Sequence, residues 1–167
     1  MKTLALITYK ENATAYEALS KLKTLNNCNT MKVKQAAVIE KNQSNSEVTI
    51  KDSLDFQSGN RVATGGLIGM IVGILGGPLG VLSGWIIGDL AGVGTNYVKT
   101  KKNTTVFDTV SQNLAPGASG LIIYMEESDE TLIDSVLVNE LDGCIERFDY
   151  QDVKEDIDHA NKYMEEN

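Results

Sequence analysis

The chain has 167 residues, enough for one hydrophobic core but short of a second full domain, so positions 1–167 are read as a single domain. Lys+Arg 15 against Asp+Glu 23 gives a net charge of −8, which repels a nucleic-acid backbone and excludes DNA or RNA as the expected partner. A single histidine excludes a histidine-based triad or multi-histidine metal site within one chain. Cys28 and Cys144 are too far apart for a CxxC pair and are expected as buried, reduced thiols.

In chain order, Thr3 to Tyr9 is short, apolar and β-prone, and it lacks the long apolar run and small-residue cleavage pattern of a signal peptide. A first strand and a cytoplasmic body are expected. Thr14-Ala15-Tyr16-Glu17 has the form of a capping box, and Ala15, Ala18, Leu19, Leu22 and Leu25 follow at helical spacing. Val33 to Lys41 reads as a strand. After a polar turn, Glu47 to Lys51 alternates strictly, with Val48 and Ile50 inward.

The stretch Gly59 to Val98 is different in kind. From Val62 to Gly88 it carries no charge, and two glycine columns run through it: Gly65, Gly69, Gly73 and Gly77, then Gly80, Gly84, Gly88 and Gly92. Four-residue spacing sets each column on nearly one helix face, and a face without side chains admits close approach by another backbone. Gly76-Gly77-Pro78 supplies a stop and a restart, so 59–98 reads as an apolar helical hairpin inserted into the domain. Folding about Gly77 brings Asp89 level with the start of the first helix, where free amides stabilise a carboxylate and Arg61 adds positive charge. The glycine columns and Asp89 are the candidate interaction residues.

Beyond the hairpin, Thr104 or Thr105 caps a helix carrying Val106, Phe107, Val110 and Leu114, and Pro116-Gly117 stops it. Gly120 to Met125 is a strand, Ser128-Asp129-Glu130 opens a helix with Leu132, Ile133 and Val136 on one face, and Cys144 to Tyr150 is the last strand. Val153, Ile157, Ala160 and Met164 stripe a C-terminal helix whose acids Asp152, Glu155, Asp156 and Asp158 read as a solvated face. The class is α+β. With the hairpin set aside, the elements up to the fourth strand run β-α-β-β-α-β, the split arrangement of ferredoxin-like domains, followed by further C-terminal elements.

Across nearly its whole length the chain resembles the DUF1269 family of predicted membrane proteins of unknown function. The resemblance rests on Tyr16 to Leu22, Ala36-Ala37-Val38-Ile39, the glycine-rich insertion and Leu114-Ala115-Pro116-Gly117-Ala118-Ser119. A looser likeness to bacterial glycine-zipper stress-response proteins implies a stress context by analogy. Neither brings catalytic residues.

The residues carry no reaction either. Gly92-Val93-Gly94 lacks the strand, loop and helix context of a phosphate loop, and the C-terminal acids lack the spacing of a calcium loop. No enzyme activity, metal or cofactor is expected. As one helix Val62 to Gly88 would be about 40 Å long, enough to cross a core of about 30 Å, but one crossing would part strands that must pair. Each arm of the hairpin reaches only about half a bilayer. The expected function is self-association into a homo-oligomer through the glycine hairpin. The alternative is a hairpin that rests on or dips into the inner face of the cell membrane.

Overall fold

A computed structural model describes residues 2–25, 31–44, 47–56, 66–76 and 105–166. Strands β1 (Lys2–Thr8), β2 (Met31–Lys41), β3 (Val48–Asp55), β4 (Ser119–Glu127) and β5 (Cys144–Asp149) form one antiparallel sheet in the order β3-β2-β4-β1-β5. The helices are α1 (Asn12–Leu25), α2 (Gly66–Leu75), α3 (Val106–Asn113), a short turn Thr131–Ile133 that continues as the π-helix Asp134–Asn139, together called α4, and α5 (Tyr150–Glu166). The class is α+β.

Burial explains the strand order. β4 is buried along almost its whole length, and it takes the centre with β1 and β2 on either side. β3 keeps the alternation read from the sequence, Val48 buried and Thr49 and Lys51 exposed, and it sits at an edge. Because β1 and β2 both run antiparallel to β4, they are parallel to each other with β4 between them, and α1 joins them. By the same logic β4 and β5 are parallel with β1 between them, joined by α4. The third strand is therefore an outer addition to β2, and the last strand takes the place that the order of elements alone suggests for an earlier one.

Each sheet face carries its own core. On one side Ala15, Ala18, Leu19 and Leu22 of α1 and Ile133 and Leu137 of α4 pack with Ala5, Ile7, Val38 and Ile123. A register shift between Val33 and Gln35 lets Val33 and Ala36, three apart, share that side. On the other side α2, α3 and α5 pack with Leu4, Leu6, Ala37, Ile39 and Ile122. Val153, Ile157 and Ala160 anchor α5, so the C-terminal helix lies on the body.

Two local expectations are corrected. α1 starts at Asn12, before the Thr14 box, because the Thr14 amide already donates to the Glu11 carbonyl at 3.1 Å. Asn12 is used elsewhere: its side chain accepts from the Ser119 amide and donates to the Gly117 carbonyl, both at 3.0 Å, tying the start of α1 to the start of β4. Cys144 is exposed, since it opens an edge strand; Cys28 lies outside the described residues. The α3 cap is as read: Thr105 and Asp108 form a full capping box.

Candidate interaction surface

α2 is the described part of the glycine-rich segment 59–98. Its start is held by Gln35 of β2, a buried residue whose side-chain oxygen accepts the Ile68 amide at 3.4 Å while its amide donates to Asp55 at 3.4 Å. Gly66 stands at φ +79°, a left-handed backbone that favours glycine, and a Cβ there would displace the Gln35 amide.

From there the helix divides cleanly. Leu67, Ile68, Ile71, Val72, Ile74 and Leu75 are buried against the sheet. Gly69 is half-buried, Gly73 is exposed and Met70 keeps 39% of its surface, so these three share the outward side with Gly66. A Cβ built at Gly73 meets no atom within 4 Å. The outer face is apolar, uncharged and nearly free of side chains.

Segment 59–98, read from the sequence as an insertion, is joined to the packing of the domain: its described helix, α2, supplies six buried side chains to the core of the second face. Of the candidate residues, Gly69 and Gly73 are brought to the outer face of α2. Gly65, Gly77, Gly80, Gly84, Gly88, Asp89 and Gly92 lie outside the described residues, and so does the expected contact between Asp89 and the start of the first helix. α2 is about 15 Å long at helical rise. Among the described residues no helix is long and apolar enough to cross a membrane.

The remaining polar features are chiefly structural. Arg147 of β5 makes a two-pronged ion pair with buried Glu127, 3.0 Å on each prong, and reaches Asp134 of α4 at 2.9 Å. The buried Lys41 ammonium donates to the Ser111 carbonyl at 2.8 Å, near the C-terminal end of α3 where a cation is favoured. A cleft of about 380 Å³ opens at one end of the sheet, lined by Thr8, Lys10, Asn113, Leu114, Asp142 and Cys144 among others. Its charges are already paired, Lys10 with Asp142 at 3.2 Å on the exposed rim. Among the described residues no three His, Cys, Asp or Glu side chains come together as a metal-binding group.

Asp156 was missed by the sequence reading, which put it on the solvated face with Asp152, Glu155 and Asp158. It is buried, and it accepts the Val106 amide at 2.8 Å. The signal was present: Asp156 stands three after Val153 and four before Ala160, on the apolar stripe itself. No family model, no curated protein and no solved structure matches the chain.

Proposed function

We propose that this chain is a non-enzymatic α+β protein that self-associates through the outward glycine face of α2. The observation that carries the reading is the open, uncharged surface at Gly73 and Met70 on a helix whose opposite side is firmly packed. A rigid backing with a face free of side chains suits backbone-to-backbone approach by a second copy, and apolar surface left in water favours cover. Within the same reading the fold is ferredoxin-like, formed by β1-α1-β2 interleaved with β4-α4-β5. β3 and the layer of α2, α3 and α5 are additions to it. The DUF1269 resemblance agrees with the ferredoxin-like part, and the reading carries a cytoplasmic location.

Sedimentation velocity of the full chain at several concentrations, without detergent, tests it. Wild type is expected to sediment as an oligomer, and Gly69→Leu and Gly73→Leu as folded monomers, because each leucine holds the approaching backbone off. A monomeric wild type, or leucine variants that associate as before, would overturn the reading. The same outer face also fits a lipid surface: binding of wild type to anionic vesicles, lost in both leucine variants, would transfer the site to the membrane.

A further inference from the structure

Asp156 is 2% exposed, on the side of α5 that carries Val153 and Ala160. Its carboxyl accepts the N–H of Val106, the first residue of α3, at 2.8 Å. The adjacent residue, Thr105, gives its amide and hydroxyl to Asp108 at 3.3 and 3.2 Å, and Asp108 is 3% exposed. Two buried carboxyls therefore serve neighbouring amides of one helix start, and among the described residues no cation pairs with either. The Asp156 carboxyl is thus held in a poorly solvated site with one backbone amide as its hydrogen-bond donor, where burial disfavours the charged form.

The charged groups on the surrounding elements do not relieve this. On α3 the neighbour is Asp108, and α2 contributes none. On α5 itself Glu155 directly precedes it, and Asp152 and His159 stand about one turn away. Lys2 of β1 lies over the Tyr150 ring, 5.1 Å from its centre. On β5, Glu146 and Asp149 are exposed, and Arg147 is engaged across the opposite sheet face with Glu127 and Asp134.

We propose that Asp156 is a proton-operated latch between α5 and α3. Neutral, it seats the C-terminal helix on the start of α3; ionised, it puts a poorly solvated charge into the buried contact between the two helices and loosens the layer that α2 shares. Burial pushes its carboxyl up from the ordinary 3.8 to about 7, against the lowering effect of the Val106 amide. An acid raised in the closed state favours closure most at low pH, and the advantage is lost as pH rises from 3.8 through about 7. Across pH 6 to 8 opening of the α5 and α3 contact is expected to increase about tenfold, from the ratio of the two titrations.

Amide hydrogen exchange of the full chain over that range, corrected for the intrinsic pH dependence of exchange, reads this directly. Wild type is expected to lose about tenfold protection along α5 and at Val106 while α1 is unchanged, and Asp156→Asn, which keeps an oxygen for the Val106 amide, is expected to show no such loss. Unchanged protection in wild type, or an equal loss in the variant, would overturn the latch. Should Asp156→Asn fail to fold, side-chain carbon NMR of wild type decides: an Asp156 midpoint near neutrality supports the latch, and a midpoint in the ordinary aspartate range refutes it.

Discussion

Replacing Ile71 by alanine measures how much of the fold α2 carries. Ile71 is fully buried among residues of the sheet, α3 and α5. The change removes three carbons, about 2.4 kcal/mol of transfer free energy at about 0.8 kcal/mol each. The space left behind adds about 24 cal/mol per Å³ that the neighbours fail to fill, for a total within about 2–5 kcal/mol. For a domain of this size that lowers the melting temperature by about 5–15 °C. Gly73→Ala, two residues along on the outer side, has the opposite sign: its new methyl meets nothing within 4 Å. Removal of a mid-helix glycine then stabilises by about 0.5–1 kcal/mol. Urea unfolding followed by circular dichroism, at several protein concentrations so that association is separated from folding, compares the pair. An Ile71→Ala variant within about 0.5 kcal/mol of wild type would refute the claim that α2 is core, and a destabilised Gly73→Ala would show its outer face already filled.

Arg147→Met takes both prongs of the ion pair from buried Glu127, and the loss of these charge-assisted hydrogen bonds is expected to lower stability by about 1–3 kcal/mol. Arg147→Lys should recover only part of it, since an ammonium cannot reproduce the fork; full recovery in a denaturant titration would contradict the geometry. Tyr9→Phe removes the hydroxyl that donates to the Leu137 carbonyl at 2.8 Å inside the π-helix, and the unmet carbonyl should cost about 1–3 kcal/mol. Equal stability of Tyr9→Phe and wild type would mean that another donor serves that carbonyl.

What could be read in the sequence was local. Alternation at Val48 and Ile50, helical spacing at Ala15 to Leu22 and at Val153 to Ala160, and the Thr105 cap each named an element and its inward face, because both follow from backbone periodicity within a few residues. The wholly apolar character of Gly66 to Leu75 was equally visible. Its glycine column on one face was visible too, but which side meets the sheet was not, because a helix apolar all round does not say so.

Pairing was beyond a local reading. That β4 enters between β1 and β2, leaving β3 at the edge, depends on which strands can be covered on both faces, and helices far apart in the chain provide that cover. Buried polar residues were hidden for the same reason. Gln35 caps α2, Lys41 closes α3 and Asp156 holds the start of α3, each serving a backbone group 33, 70 or 50 residues away. By itself the sequence determined the elements, their inward faces and an uncharged glycine segment. Only the tertiary structure decided their partners, because an unmet amide or carbonyl recruits whichever side chain the packed fold brings beside it.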